Sequence, residues 1–319
     1  MHAEATPSMQ PQTDPLAIEA SHMGRARWRH ALERAILVLL ALAASVSVFT
    51  TVGIVVVLFA EAAQFFRDVS LVEFLTSSRW TPLLRPQHFG ILPLVCGTLW
   101  VAVGAGMVAI PIGLATAIYL SEYSSPRLRE VIKPVLEVLA GIPSVVYGYF
   151  AVVAISPIVR WLFPTADVFN AVSAGIVVGI MILPMIVSLS EDVLRAVPRE
   201  LRAAAYALGS TKFDVTVRVV VPAALSGIVA SFLLAISRAI GETMAVTLAA
   251  GATPVVTLNP LRSVQTMTAF IVQVSQGDTP AGTIEYRSIF AVGAALFVLT
   301  LMMNLAAGLV LKRFREVYE

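Results

Sequence analysis

The sequence predicts an all-α membrane protein with about six transmembrane helices, and three observations carry that expectation. Composition is the first: of 319 residues, 58% are hydrophobic and 13% charged, too apolar for a soluble domain of this size. The second is the length of the apolar runs. Uncharged stretches at 35–60, 89–120, 138–159, 168–190 and 288–311 each exceed the ~20 residues that cross a bilayer as helix. A sixth run, 223–250, is interrupted by only two charges. The third observation is the placement of Lys and Arg. With the N-terminus inside, 15 of the 22 fall in cytoplasmic segments, six on the opposite side, and one, Arg238, within a span. Basic residues accumulate on the cytoplasmic side of membrane proteins, so both termini are expected inside.

Taken in order, residues 1–34 are polar, punctuated by Pro7, Pro11 and Pro15, and read as a disordered cytoplasmic tail. Arg25, Arg27, Arg29 and Arg34 crowd the start of the first run. A signal peptide is the alternative there, because Ala60-Glu61-Ala62 mimics a cleavage site. The run is far longer than the ~7–15 residues of a signal core, which favours an uncleaved span. Between the first two runs lies Trp80, expected as an interfacial anchor. The single Cys96 excludes an internal disulfide.

The third run is interrupted by Gly141-Ile142-Pro143-Ser144-Val145-Val146-Tyr147-Gly148. Pro143 removes a backbone donor and frees the carbonyl of Leu139, while the flanking glycines permit close backbone approach. Such breaks are tolerated where protein or a water-filled cavity covers them. On mechanics alone a packing kink is the favoured reading. The run 223–250 is expected as the fifth helix; a split or re-entrant segment is the alternative, since Gly241 and Gly251 lie near its end. Beyond it, an amphipathic piece at 264–274 is expected along the outer surface. These outer segments offer a docking face for an extracytoplasmic partner.

Between the fourth and fifth helices lies a polar, basic stretch from Pro198 to Pro222. Its helix-prone segment from about Arg199 to Leu208 is rich in alanine and is stopped by Gly209, which turns cheaply into a left-handed C-cap. A second short helix is expected from Thr211, with Pro222 marking the start of the next span. Ala203-Ala204-Ala205 is followed by three residues, Gly209, nine residues, and then Val219-Val220-Val221-Pro222. That pattern resembles the cytoplasmic loop of ABC importer permeases: EAA, three residues, Gly, nine residues, Ile-x-Leu-Pro. The acidic first position is Ala203 here, and Glu200 lies one turn earlier. The alternative is an ordinary basic interhelical loop, which the full spacing disfavours.

Inside the fifth run, Arg238 and Glu242 are four residues apart, so on a continuous helix they share a face and can pair. Placing an Arg deep in a bilayer costs roughly 2.5–3.5 kcal/mol on insertion scales, so it must face protein or an aqueous path. A structural pair near the membrane edge, with Arg238 snorkelling, is the alternative; a substrate route is favoured because intramembrane charges usually mark one.

Four stretches together, GIPSVVYG in helix three, SRAIGETMAV in helix five, the loop, and FGILPLVCGTLW at 89–100, resemble the PstC-type permease subunits of bacterial phosphate ABC importers. The resemblance covers nearly everything from the first helix onward. It implies a type I ABC importer permease fold: a tail (1–34), a permease domain (35–312) containing the coupling loop 190–222, and a cytoplasmic C-terminal end (313–319). It also implies a multi-pass protein of the bacterial inner membrane. The implied partners are a second, PstA-like permease, a PstB-like ATPase dimer that holds ATP and magnesium, and an extracytoplasmic PstS-like phosphate-binding protein. No cofactor on this chain and no nucleic acid is implied; membrane lipid surrounds it. Arg238 and Glu242 match a charged pair implicated in phosphate passage, and Ser237, Thr243, Pro143 and Ser144 complete the expected substrate path. Glu200, Ala203, Ala204, Ala205, Gly209 and Pro222 make up the expected ATPase-coupling loop.

Three other functions compete. A secondary anion carrier would use Arg238 and Glu242 to couple anion movement to protons, but carriers commonly contain two related halves, which this sequence does not display. A related ABC permease for sulfate or molybdate shares the same physics. An intramembrane enzyme finds little support: His2, His22, His30 and His88 all lie outside the spans, and no metal-ligand spacing is present. The chain also lacks a Gly-x-x-x-x-Gly-Lys-Ser/Thr phosphate loop, so ATP hydrolysis is expected on a partner.

Overall fold

The computed structural model describes the backbone of residues 15–314 and the side-chain surroundings of residues 32–309. Within those residues the chain forms helices and no strand, apart from an isolated bridge between Trp80 and Phe89. The helices in order are α1 (Pro15–Asp68), α2 (Leu71–Thr76), α3 (Leu92–Ile118), α4 (Pro126–Gly141), α5 (Ser144–Phe150), α6 (Ser156–Leu162), α7 (Ala171–Ala196), α8 (Arg199–Ala207), α9 (Lys212–Val215), α10 (Val221–Ile240), α11 (Met244–Ala249), α12 (Met267–Gln276) and α13 (Ile284–Phe314). Among the described residues, six stretches are long and apolar enough to cross a membrane: Leu32–Asp68, Leu92–Tyr123, Ser144–Leu162, Ala171–Ala196, Lys212–Ile240 and Ile284–Leu309.

The chain divides into two units, residues 1–57 and 58–319. In the first, the apolar side chains of α1, such as Leu37, Val46 and Phe49, are exposed, as suits a helix solvated by lipid. Helix begins at Pro15, so residues 15–34, expected as irregular tail, are helical; Ala, Leu, Glu and Arg there are strong helix formers. The expected tail before them, residues 1–14, and the C-terminal end 315–319 lie outside the described residues.

In the second unit, α3 and α7 form the central pair. Small residues let their backbones meet: a Cβ on Gly175 would sit 3.0 Å from the Cα of Gly104, and one on Gly179 only 2.9 Å from the carbonyl oxygen of Ala105. Without a hydrophobic driving force between helices in lipid, such close approach is what holds a span pair together. Tyr147, Ala151, Ala235, Ala239, Ala245 and Val246 pack around this pair. Two further clusters complete the unit. One is aromatic, built from Phe65, Phe74, Trp80, Phe89 and Phe270; the other, including Leu194, Val197, Ala205, Val215 and Ala224, seats α8 and α9.

Six expectations are corrected by this architecture. The third span starts at Ser144, not Val138, because Ile142 and Pro143 end α4 outright and α4 is a separate amphipathic helix. The Leu139 carbonyl is not free, since it accepts from the Tyr147 hydroxyl at 2.8 Å. Helix α7 continues past Ser190 to Ala196, because Glu191 and Asp192 find cationic partners there. The run 223–250 is split, the alternative named for it: α10 ends at Gly241 and α11 restarts at Met244. Finally, Trp80 is 2% exposed and packs 4.8 Å from Phe270 edge-to-face, and α12 is inserted in the core rather than laid on a surface. Burying two large aromatics together outweighs the interfacial preference of an isolated Trp.

Candidate functional site

Helices α8 and α9 form a bent element whose shape follows from three local devices. Pro198 opens α8, where its missing N–H costs nothing. Gly209 has φ +83°; its N–H donates to the Tyr206 carbonyl at 2.9 Å and Ser210 N–H to the Ala205 carbonyl at 3.2 Å, a left-handed cap that satisfies the last carbonyls of the helix. The Thr211 side chain then caps α9 by accepting from Asp214 N–H. Ala205 is the only buried residue of α8 and anchors it. Ala203, Ala204, Glu200, Tyr206, Leu208 and Phe213 are exposed, and Leu208 is 87% exposed. Pro222, also exposed, lies in the first turn of α10; it does not interrupt the chain, for α9 runs through a π-helical turn, Thr216–Val220, directly into α10.

The element is fixed to the helical body by Arg202. Its guanidinium reaches Glu122, at the end of the α3 span, at 3.0 Å and the Leu194 carbonyl of α7 at 2.8 Å. Both side chains of the pair are largely buried, 19% and 9% exposed, so the contact ties α8 to two spans at once. The ammonium of Lys212 lies 4.9 Å above the Tyr123 ring and adds a second tie.

A second charged cluster joins α4 to α7. Glu191 is fully buried. Arg129 approaches it at 2.8 Å, Lys133 at 2.5 Å and Arg195 at 3.7 Å, and Lys133 also reaches Asp192 at 3.2 Å. A buried carboxylate is tolerable only when compensated in this way. The short contact with Glu191 outweighs partial burial and, with Asp192, raises Lys133 above its ordinary value of 10.5. Lys133 also lines a cavity of about 460 Å³ between α4, α7 and α10, whose wall includes Glu137, Pro184, Ser188 and Arg238.

Arg238 is thus on an exposed face and opens into a cavity with charged walls, and no ion pair or hydrogen bond to it is present among the described residues. The expected pairing with Glu242 is not formed. Gly241 ends α10, so the four-residue spacing no longer lies on one helix. The Glu242 carboxylate instead accepts from Ala245 N–H, in the first turn of α11, at 3.3 Å, while its carbonyl accepts from Thr268 at 2.7 Å. Ser237 donates to Asn304 at 2.9 Å, and Thr243 donates to the Gly241 carbonyl. Pro143 and Ser144 sit at the start of α5 and take no part in the wall that holds Arg238. The two intramembrane motifs do meet elsewhere: a Cβ on Gly148 would be 3.0 Å from the Ala245 Cα, so α5 and α11 pack backbone to backbone.

Glu122, Lys133, Glu191 and Arg202 are not marked as site residues by the sequence. Glu191 does carry a signal, a carboxylate directly after a long apolar run with Arg195 four residues on. Its partners Arg129 and Lys133 lie on a different helix, and Arg202 and Glu122 are 80 residues apart, so neither cluster has a local pattern.

Comparison with known proteins adds the following. The family described as "binding-protein-dependent transport system inner membrane component" matches residues 109–316. The chain is 33% identical over 264 residues to the probable ABC transporter permease protein YqgH of Bacillus subtilis (strain 168), covering 82% of this chain and 85% of that one. It is 33% identical over 280 residues to the phosphate transport system permease protein PstC of Mesorhizobium japonicum, covering 82% and 84%. Among solved structures, an inward-facing conformation of the MetNI methionine ABC transporter aligns with a TM-score of 0.55 at 16% identity, over 70% of this chain and 96% of that chain; the likeness is one of fold.

Proposed function

The chain belongs to the family of binding-protein-dependent transport system inner membrane components, and from that premise we propose that it is the permease subunit of an ATP-driven importer of inorganic phosphate. Its fold is that of type I ABC importer permeases, and it is a transporter component, not an enzyme. It works with a second permease and an ATPase, as the names of its relatives imply. The finer assembly, with an ATPase dimer and an extracytoplasmic phosphate-binding protein, belongs to this proposal, as does the orientation with both termini in the cytoplasm.

The observation that carries the proposal is the α8–α9 element. It presents Tyr206, Leu208 and Phe213 to solvent on a rigidly capped bend, while Arg202 links it to α3 and α7. An exposed apolar tip on a polar, basic element is a docking surface, and its ties to two spans let motion of a partner reach the membrane. A secondary carrier has no use for such a part. Phosphate as cargo is supported by the relative's name and by the unpaired Arg238 in the cavity wall, whose planar fork suits phosphate oxygens. Co-purification tests the reading: the chain should retain an ATPase from membranes, and Leu208→Asp with Phe213→Asp should release it while insertion is unchanged. Retention of the ATPase by that variant would contradict this assignment of α8 and α9.

A further inference from the structure

The cavity that holds Arg238 has a second cation in its wall. Lys133 lies on α4 one turn before Glu137, and both line the space together with Arg238, Pro184 and Ser188. The Lys133 ammonium is tied to Glu191 and Asp192, but the buried Glu191 does not depend on it alone, because Arg129 at 2.8 Å and Arg195 at 3.7 Å also compensate that carboxylate. The cluster therefore sets Arg129, Lys133 and Arg195 against only Glu191 and Asp192, and Lys133 is the member that also reaches the cavity. Helix α4 itself has no buried residue, so its seat on α7 depends on these charged contacts more than on a packed core. It ends at Gly141, where a Cβ would meet nothing within 4 Å.

Charge matching gives this arrangement a use. A phosphate group carries one to two negative charges near neutral pH. Arg238 alone leaves the second charge uncompensated against a wall that is otherwise mostly apolar, where uncompensated charge is costly. Glu137, in the same wall, offsets the cations while the cavity is empty and repels an anion that arrives with excess charge. Resting on the reading of the chain as a phosphate permease, we propose that Lys133 is a second phosphate-contacting residue of the path, which exchanges Glu191 and Asp192 for the anion as it passes Arg238. Arg129 and Arg195 hold Glu191 during that exchange. The doubly charged form of phosphate is the one that needs Lys133.

The experiment uses the whole importer, this chain with its second permease, ATPase and binding protein, in proteoliposomes with ATP on the ATPase side. Phosphate uptake is measured relative to wild type at about pH 5.5, where the single charge predominates, and at about pH 8, where the double charge does. Lys133→Gln should reduce uptake about tenfold at the higher pH and only about two- to threefold at the lower, the scale of one charge-assisted contact. Lys133→Arg should restore both. In a Cys96→Ala background, phosphate during turnover should slow alkylation of the thiol introduced by Lys133→Cys, which a residue that only ties α4 to α7 would not show. Equal losses at both pH values without phosphate protection, or full uptake by Lys133→Gln, would overturn the proposal. A wild-type importer that takes up no phosphate would instead overturn the phosphate reading, and this proposal with it.

Discussion

Arg238 combines two properties that make it the residue on which passage of an anion should depend. Its guanidinium lines a cavity, and no carboxylate among the described residues is paired with it there. Arg238→Gln should abolish phosphate uptake while leaving assembly and ATPase docking intact, because no structural contact is lost. Arg238→Lys should be partly active, keeping the charge and losing the fork. Uptake at matched membrane abundance checks both, and wild-type rates for Arg238→Gln would show the side chain to be a bystander. Glu242 follows a different logic. Its carboxylate accepts from Ala245 N–H in the first turn of α11, so what matters is an acceptor and not the charge. Glu242→Gln should retain most uptake, whereas Glu242→Ala should cost about 0.5–2 kcal/mol of helix stability and lower the melting temperature of the purified subunit. Equal behaviour of the two variants would contradict the acceptor role.

The bent element α8–α9 should fail through its backbone first. Gly209 has φ +83°, and a Cβ there would meet nothing within 4 Å, so the penalty for another residue is conformational and not steric crowding. Gly209→Val, β-branched in the left-handed region, should cost more than the roughly 1–2 kcal/mol of an ordinary residue there, and ATPase-coupled transport should fall sharply. Gly209→Asn, which tolerates that region, should stay near wild type; similar defects in both would contradict the turn as the cause. Removing one partner of the largely buried Arg202–Glu122 pair leaves a charge uncompensated, roughly 3–5 kcal/mol in comparable pairs. Arg202→Glu should therefore uncouple ATP hydrolysis from uptake, and adding Glu122→Arg should recover part of it. Absence of any recovery would show that Arg202 acts through the Leu194 carbonyl alone. Much of this element is legible in the sequence: Gly209, Thr211 and the alanine run are local signals for caps and helix. Its anchoring is not, because Glu122 and Arg202 meet only after α3 and α7 have packed. The same holds for Glu191 and for Trp80, whose surroundings come from distant segments. The spacing of Arg238 and Glu242 misleads for a local reason: Gly241 ends the helix on which the two would have paired.

At the scale of the whole molecule, the unit from residue 58 onward is built on a closely packed α3–α7 pair, with a charged cavity on one flank and the bent α8–α9 element tied to the same helices. Apolar run length sets the number of spans because lipid forces every backbone group into helix; it could not place α4, whose interspersed charges keep it out of the span that follows. The contacts of Arg202 with α3 and α7, and of Glu191 with α4, put the α8–α9 element and the cavity within one connected set of helices. That arrangement suits a permease moved by an external ATPase, the function proposed above, whereas a carrier driven by an ion gradient needs no element such as α8–α9. The most direct test is phosphate uptake into sealed vesicles containing the assembled complex, with ATP and the proton gradient varied independently. The account predicts uptake that requires ATP hydrolysis and persists when the proton gradient is collapsed; uptake that follows the gradient and proceeds without ATP would contradict it.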